Sequence, residues 1–389
     1  MKIVVLGAGL MGREIARDLV NSSQVTRVIL ADQQPVTADV LEQLNSPKIQ
    51  FVQMDARDEG QLRRVIANGE AVVNALFYEF NEVVAQMALE TGVHLVDLGG
   101  HIDGVTDRIL ALDEAAKAKN IVMIPDMGLA PGMTNVLVGY GASKLDEVTS
   151  IKLYVGGIPI HPKPPLEYAH VFSLDGMFDH YTKPTMVVER GEEKLKPSLS
   201  GIEPIYVEGF GILECFYTAG GISTLHRTFP GVQTLEYKTI RYKGHAEKFK
   251  LLTDLGFLDA AYQLSVNGQL VPVRDVTRDI LKEKLALGDE ADATILRVIV
   301  SGEKAEQQVT YEYELVVKKE SMSATSAMSR TTGATASSIV QMILDGTISE
   351  RGVRPPEIAV PGAVYIDAMA QRGIDIRETV HQSSMIVKW

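Results

Sequence analysis

The first 126 residues alternate short apolar runs with stretches that carry apolar side chains at helical spacing. The spacing of four is clearest at Met11, Ile15 and Leu19. Alternating strands and helices of this length indicate right-handed βαβ units and a doubly wound parallel sheet. The six predicted strands are 3–6, 27–31, 49–54, 71–73, 94–96 and 121–125.

A glycine or a polar residue stands where most of these predicted strands end. In a parallel sheet the carboxyl ends of the strands share one rim, and open α/β sheets bind their ligands along that rim. We therefore expect the functional side chains of this region to lie there. The residues placed on the rim are Gly7, Asp32, Asp55, Asn74, Asp97 and Asp126.

After residue 126 the hydrophobic pattern changes to a period of two. Apolar and polar side chains alternate from Val309 to Val317, which is typical of a strand with one covered face. This region is predicted to be an α+β domain around a largely antiparallel or mixed sheet. Its further predicted elements are strands at 234–242 and 294–300, a hairpin loop at 301–306 and a helix at 334–344.

Residues 7–12 have the spacing of a dinucleotide-binding loop, placed between an apolar strand and an amphipathic helix. The first glycine permits the tight turn, the second lets the backbone approach a pyrophosphate, and the third lets the helix pack closely on the sheet. The helix N-terminus adds N–H groups and a partial positive charge. The predicted cofactor-binding residues of the loop are Gly7, Ala8, Gly9, Leu10, Met11 and Gly12.

An acidic residue, Asp32, ends the second predicted strand, where a carboxylate binds both ribose hydroxyls of NAD. A 2′-phosphate there would meet like charge, at a cost of about 4 kcal/mol per charge pair. Gln33 and Gln34 follow, with no arginine to offset that charge, so NAD is predicted rather than NADP. Further predicted cofactor contacts are Asp55, Ala56, Asn74, Ala75 and Leu76, with loop capping as the alternative for Asp55.

Composition and charge limit the classes of partner. A net charge of −12 argues against nucleic acid and against an anionic membrane surface. The single cysteine, Cys215, excludes an intramolecular disulfide, and disulfide-free chains of this size are most often cytosolic, so a cytoplasmic location is expected. No metal site is predicted, because His161, His170 and His180 contain no short-range ligand pair.

Several stretches resemble the saccharopine dehydrogenase superfamily, from residue 2 to about residue 372. The elements shared across the superfamily are D-x-G-x-x-P-G at 126–132, P-L-x-Y at 165–168 and T-x-R-Y-x-G at 239–244. The forms G-G-I-P, L-G-G-H and R-Y-K-G-H are similar to those of its lysine 6-dehydrogenase branch.

The resemblance implies three segments and an expected activity. They are a Rossmann domain over 1–126, a substrate-binding and dimerisation domain over 127–330, and a C-terminal segment over 331–389 whose helix returns to the first domain. It implies NAD-dependent oxidative deamination of the ε-amino group of L-lysine, giving a semialdehyde that cyclises to piperideine-6-carboxylate. A homodimer or homotetramer is expected.

Two alternatives to this activity remain open. One is a saccharopine-type reductase or dehydrogenase that acts on another amino-acid amine. Such an enzyme needs a second cation for a second carboxylate, and Arg227 or Lys163 is available for it. The other is a dinucleotide-sensing protein that binds NAD and turns over no amine.

Oxidation of an amine requires a base. A lysine amine has a pKa of about 10.4, so about one molecule in 2,500 is neutral at pH 7, a handicap of about 4.6 kcal/mol. A general base is therefore expected. The candidate catalytic residues are Asp97, Asp126 and His101, on or just past the fifth and sixth predicted strands. Capping of loop backbone is the alternative role for the two aspartates.

The carboxylate of an amino-acid substrate requires a permanently charged, bidentate partner. Arg241 is the candidate, and a structural ion pair is the alternative role for it. Further side chains from the matched motifs are predicted to bind substrate. They are Tyr168, Glu167, His170, His245 and Thr224, with a core role as the alternative for the tyrosine.

Overall fold

The computed structural model describes residues 1–36, 42, 44, 46–100, 104–288, 290–320, 323 and 325–382. The chain divides into two compact units. The first comprises Met1–Lys144, Ser223–Thr228 and Ser329–Ile376, and the second comprises Leu145–Ile222, Phe229–Met328 and the residues from Arg377 onward. Within the described residues, no helix has the length and hydropathy needed to cross a membrane.

The first unit is built on a seven-stranded parallel sheet. Its strands are β1 (Lys2–Leu6), β2 (Arg27–Asp32), β3 (Ile49–Gln53), β4 (Ala71–Asn74), β5 (His94–Asp97), β6 (Val122–Ile124) and β17 (Gly352–Val353). The strand order is β17-β6-β5-β4-β1-β2-β3, and each pair is parallel. The chain reverses direction across the sheet at β1, so a ligand crevice is expected at the carboxyl ends of β1 and β4. The predicted doubly wound parallel sheet is confirmed.

Helices surround this sheet and bury apolar side chains at helical spacing. In the second helix Leu62, Val65 and Ile66 are buried, and the Asp58 side chain caps its first turn by accepting the N–H of Gln61. The helices are α1 (Leu10–Asn21), α2 (Glu59–Ile66), α3 (Asn81–Thr91), α4 (Val105–Leu110), α5 (Asp113–Ala118), α6 (Met133–Ala142), α8 (Leu225–Thr228), most of α11 (Ala327–Leu344), α12 (Pro356–Ala359) and α13 (Gly362–Ala370).

The first unit extends past residue 126, because α6 packs on α12 and α13. A Cβ at Gly139 would lie 2.1 Å from the carbonyl oxygen of Glu357, so α6 and α12 approach as closely as they do only because residue 139 is glycine. Residues 329–376 therefore contribute to the same core as the N-terminal βαβ units.

The second unit contains a nine-stranded mixed sheet. Its main path runs β10-β11-β12-β7-β15-β16-β18, with only β12 and β7 parallel. The strands are β7 (Glu147–Pro159), β8 (Thr185–Glu189), β9 (Glu192–Lys196), β10 (Glu203–Val207), β11 (Gly211–Tyr217), β12 (Thr234–Arg241), β15 (Asp292–Lys304), β16 (Gln307–Lys318) and β18 (Arg377–Gln382). A separate hairpin joins β13 (Gln263–Val266) and β14 (Gln269–Pro272), and the helices are α7 (Leu174–Thr182), α9 (His245–Asp254) and α10 (Val273–Lys284).

The alternation that predicted β16 is confirmed, because every second side chain from Val309 to Val317 is apolar and buried, while the intervening Val316 is exposed. The predicted loop at 301–306 is wrong in extent. Strand β15 continues to Lys304, and only Ala305 and Glu306 form the turn, with φ of 49° and 63°. Two successive residues with positive φ make the tight turn that suits a twisted two-strand ribbon, so the strands can pair up to its edge.

Candidate dinucleotide and substrate sites

The three glycines of the loop between β1 and α1 differ in their surroundings. Gly7 has a φ of 94°, and a Cβ there would lie 2.8 Å from the carbonyl oxygen of Ala75. A Cβ on Gly12 would lie 1.8 Å from the carbonyl oxygen of Gly7. At Gly9 a Cβ would meet nothing within 4 Å, so the backbone there faces open space. This is the arrangement that lets a pyrophosphate approach, and α1 begins directly after it at Leu10, where helix N–H groups lack internal partners.

Asp32 ends β2 next to this loop. Its Oδ2 accepts the N–H of Ala8 at 2.6 Å, and its Oδ1 accepts the N–H of Gln34 at 2.8 Å. An ionised carboxylate has about four acceptor positions, so capacity remains for the two hydroxyls of a ribose. The glycine loop and Asp32 therefore fit a dinucleotide.

Asp55 follows β3 and holds its own loop. Its Oδ1 accepts the N–H of Arg57 at 3.0 Å, and its Oδ2 accepts the side-chain amide of Gln33 at 2.9 Å. These bonds match the loop-capping role that is the alternative to a cofactor contact for Asp55. The neighbouring Ala56 is buried.

Asn74 ends β4 and is fully buried. Its Nδ2 donates to Oδ1 of Asn81 at 2.8 Å, and its Oδ1 accepts the N–H of Leu76 at 3.3 Å. The side chain thus fixes the backbone of the following residues rather than offering free polar atoms. Ala75 lies against Gly7, so residues 75 and 76 line the edge of the glycine loop.

Asp97, the last residue of β5, is fully buried. Its Oδ1 accepts the N–H groups of Gly99 at 2.8 Å and of Asp126 at 2.9 Å, and the side-chain amide of Asn81 at 3.3 Å. Its Oδ2 has no hydrogen-bond partner among the described residues. Burial, and secondly the Asp126 carboxylate, raise the pKa of Asp97 to about 7. A carboxyl that titrates near neutral pH and keeps one oxygen uncommitted is suited to proton transfer.

Asp126 lies just past β6 in a left-handed conformation, with a φ of 61°. The Thr106 hydroxyl donates to both carboxylate oxygens, at 3.0 and 3.1 Å, and the Ser223 hydroxyl donates to Oδ2. These contacts hold Asp126 beside Asp97. The third catalytic candidate, His101, lies outside the described residues.

Thr224 belongs to the first unit and is 1% exposed. Its hydroxyl and that of Thr228 each donate to Oε1 of Glu357 at 2.6 Å, and Asn135 donates to Oε2 at 3.1 Å. The structure therefore places Thr224 in a buried network that joins α8, α12 and α6. Sequence reasoning missed Glu357, whose partners are remote along the chain.

Arg241, the last residue of β12, is the principal feature of the second unit. It is 4% exposed, its Nη1 donates to the carbonyl oxygen of Ile240 at 2.9 Å, and its Nε has no partner among the described residues. No carboxylate of the described residues forms an ion pair with it, so the alternative of a structural ion pair is not found there. A buried charge without a counter-ion is costly. The arrangement indicates a site for an anionic group.

Two further unsatisfied polar atoms lie close to Arg241. The ring of Tyr168 lies 4.9 Å from its guanidinium carbon and 5.0 Å from the ring of His245. The Tyr168 hydroxyl and Nδ1 of His245 are both buried without a partner among the described residues. Burial, and secondly the charge of Arg241, hold the pKa of His245 well below its usual range, so its ring is neutral.

The ring of His245 is fixed from two sides. Its Nε2 lies 2.9 Å from the hydroxyl of Tyr181, and the ring stacks on Phe249 at 4.4 Å. Tyr181, on α7, was missed by sequence reasoning because it reads as one apolar position of an amphipathic helix. Tyr168, Arg241 and His245 thus form one cluster, here called the arginine cluster.

The other two predicted substrate residues have partners of their own. Glu167 forms an ion pair with Lys248. His170 is half-buried, its backbone N–H donates to Leu285, and burial lowers the pKa of its ring. Within the described part of the chain, no group of three or more His, Cys, Asp or Glu side chains is placed to hold a metal ion.

The first unit is a Rossmann-type parallel sheet with a glycine loop that fits a dinucleotide, and the second unit carries a buried arginine without a carboxylate partner in the described chain. Two family models match these two parts of the chain. The Saccharopine dehydrogenase NADP binding domain matches residues 3–124, and the Saccharopine dehydrogenase C-terminal domain matches residues 128–374. The chain belongs to the saccharopine dehydrogenase family.

Individual relatives are distant in sequence. The saccharopine dehydrogenase [NADP(+), L-glutamate-forming] of Schizosaccharomyces pombe is 24% identical over 263 residues, which cover 63% of this chain and 56% of that protein. The match thus spans little more than half the length of this curated relative. Apo saccharopine dehydrogenase (L-Glu forming) from Saccharomyces cerevisiae superposes with a TM-score of 0.78 at 18% identity, over 98% of this chain and 99% of that one. The homospermidine synthase of Legionella pneumophila in complex with NAD superposes with a TM-score of 0.67 at 13% identity, over 98% of this chain and 91% of that one.

Proposed function

We propose that the protein oxidatively deaminates the ε-amino group of L-lysine with NAD, releasing ammonia and a semialdehyde that cyclises to piperideine-6-carboxylate. The observation that carries this proposal is the buried guanidinium of Arg241, which has no carboxylate partner in the described chain. A substrate with one carboxylate supplies that partner.

The alternative, a saccharopine-type enzyme, needs a second cation for a second carboxylate. The two cations available for that role are already in ion pairs. Arg227 lies 2.8 Å from Asp107, and Lys163 pairs with Glu290. This favours a substrate with a single carboxylate, and L-lysine meets that requirement.

NAD is the proposed cofactor, although the matched family model and the S. pombe relative are described with NADP. The support comes from Asp32. Its carboxylate forms no ion pair with any described cation, so nothing offsets its charge against a 2′-phosphate. Of its two neighbours, Gln33 is engaged with Asp55.

The proposed roles of the side chains follow from their surroundings. Arg241 binds the substrate carboxylate. It is the single charged group of the arginine cluster, because the His245 ring is neutral. Asp97 accepts a proton from the substrate ammonium through its uncommitted Oδ2, which frees the nitrogen lone pair. A bound nicotinamide would supply the acceptor for the hydride that leaves the ε carbon. Water then adds to the resulting imine, and Asp97 returns its proton to the departing ammonia.

The direct test measures NADH formation at alkaline pH with L-lysine as the sole organic substrate. NADP replaces NAD in one parallel reaction, and saccharopine replaces lysine in another. We expect turnover with lysine and NAD. Turnover with saccharopine alone would establish the alternative, and NADP preference would overturn the role given to Asp32. Tight NAD binding without turnover of either amine would indicate a sensing protein.

We also propose that the chain forms a homodimer through the surface of residues 251–280, here called the hairpin face. Half of the exposed large apolar side chains in the described chain lie in this stretch. A two-stranded hairpin alone is marginally stable, so the hairpin of this stretch would gain from a partner surface. The exposed apolar residues are Leu251, Leu255, Phe257, Tyr262, Leu264, Val266, Leu270, Val276 and Ile280.

Leu270→Asp is expected to convert this dimer to a monomer in light scattering coupled to size-exclusion chromatography, because it places a charge in the apolar contact. Leu270 is 70% exposed, so the variant should fold. Ile212→Asp is the matched control, since Ile212 is equally exposed, at 70%, on β11. A monomeric wild-type protein, or a dimer that only Ile212→Asp disrupts, would contradict the assignment.

A further inference from the structure

A cavity of the first unit lies at the amino ends of its strands, away from the dinucleotide loop. It has a volume of about 490 Å³. His94 begins β5 and Asp97 ends it, so the cavity and the candidate base are separated by the length of that strand, about 10–13 Å at about 3.3 Å per residue. The side chains that line the cavity are Glu70, His94, Ile343, Leu344, Asp345 and Arg351.

The donors of this cavity are Arg351 and His94. Nη1 of Arg351 is buried and has no hydrogen-bond partner among the described residues, and none of their carboxylates forms an ion pair with this guanidinium. Nδ1 of His94 accepts the N–H of Val122 at 2.9 Å, which places the ring proton on Nε2. Burial, and secondly the charge of Arg351, lower the pKa of His94, so the ring is neutral and donates one hydrogen bond. A guanidinium beside an N–H donor suits a carboxylate.

The acceptors are two carboxylates that line the same cavity. Glu70 accepts the N–H of Lys2 through Oε2 at 2.7 Å, and Asp345 accepts the N–H of Thr347 through Oδ1 at 2.9 Å. Each is exposed and keeps one carboxylate oxygen for a further donor. Neither forms an ion pair with a described cation, so a ligand ammonium group would find two partners there.

The remaining lining is apolar and consists of two aliphatic side chains and two glycines. Ile343 and Leu344 end α11, and the backbones of Gly92 and Gly346 complete the wall. From these features we propose that this cavity binds a zwitterionic α-amino acid with a short apolar side chain, its carboxylate on Arg351 and His94 and its ammonium group on Glu70 and Asp345. This cavity lies at the amino ends of the strands, whereas the proposed reaction takes place at their carboxyl ends, so the ligand occupies the cavity without reacting.

The test is isothermal titration calorimetry of the full chain with L-alanine, in a background of Arg241→Gln that removes the carboxylate partner of the arginine cluster. One saturable site is expected. Arg351→Gln should weaken the affinity by about tenfold or more, which corresponds to about 1.4 kcal/mol. Asp345→Asn should weaken it too, and because Asp345 is exposed this second variant is expected to fold.

Three controls separate this proposal from simpler readings. Arg64→Gln removes an exposed arginine of α2 outside the cavity and should leave the affinity unchanged. Acetate and methylammonium each carry half of the zwitterion and should bind more weakly than L-alanine. Inorganic phosphate that binds as tightly as L-alanine would overturn the ligand class in favour of a plain anion site. The absence of saturable binding, or binding that survives Arg351→Gln in folded protein, would overturn the site itself.

Discussion

Arg241→Gln is expected to lower kcat/KM for L-lysine by about a thousandfold. Removing one partner of a buried, hydrogen-bonded charge pair costs about 2–5 kcal/mol, and each 1.4 kcal/mol is a factor of about ten. The carboxylate is bound equally in the ground state and the transition state, so the loss should fall on KM more than on kcat. Steady-state kinetics with varied lysine measures both, and NAD affinity should not change.

A substrate without a carboxylate provides the matched control for this prediction. 1,5-Diaminopentane cannot use the guanidinium, so the wild-type protein and Arg241→Gln should process it equally poorly. Arg297→Gln supplies the protein control, since Arg297 lies in the same sheet but pairs with Glu312 and Glu314. A wild-type KM for lysine in Arg241→Gln would place the carboxylate site elsewhere.

Asp97→Asn is expected to reduce kcat by about 10²–10⁴-fold, the usual contribution of a general base. The amide preserves the shape of the side chain and its Oδ1 contacts with the N–H groups of Gly99 and Asp126, so the loop should remain folded. Single-turnover measurement of NADH formation isolates this chemical effect from product release.

The pH profile distinguishes a base from a structural aspartate. The base works only when ionised, and burial raises the pKa of Asp97 to about 7. In the wild-type protein the rate should therefore rise with pH through neutrality and fall as Asp97 becomes protonated below it. In Asp97→Asn that acidic limb should disappear. Asp55→Asn, which alters a carboxylate engaged in loop capping, should keep the limb, and persistence of the limb in Asp97→Asn would assign the proton to another group.

The pattern of apolar runs was sufficient to predict the parallel sheet, because buried parallel strands leave a strong signal of short apolar segments between helices. The same reasoning located Gly7, Gly12 and Asp32, since close backbone approach and strand ends follow from local geometry. The hairpin loop was predicted too long, at 301–306, because neither Ala305 nor Glu306 is a typical positive-φ residue that would mark a two-residue turn.

Other parts of the sites depend on contacts between distant segments. Ser223 reaches Asp126 across 97 positions of the sequence, and Thr224 reaches Glu357 across 133. Hydroxyl and carboxyl groups of this kind carry no periodic signal, so a single sequence does not show that they meet. The lack of an ion-pair partner for Arg241 among the described residues is also visible only in the folded chain. It depends on where the carboxylates lie in space, which the sequence does not give.

The edge strand β17 has a consequence for how the protein is made. Gly352 pairs with Val122, so the sheet of the first unit is completed by a segment that is synthesised after nearly all of the second unit. On the ribosome, at about 5–20 residues per second, β6 waits for its neighbour for about ten seconds or more with one edge unpaired. The second unit apart from β18 is synthesised during that interval, so the nascent first unit carries an open strand edge while most of the rest of the chain emerges.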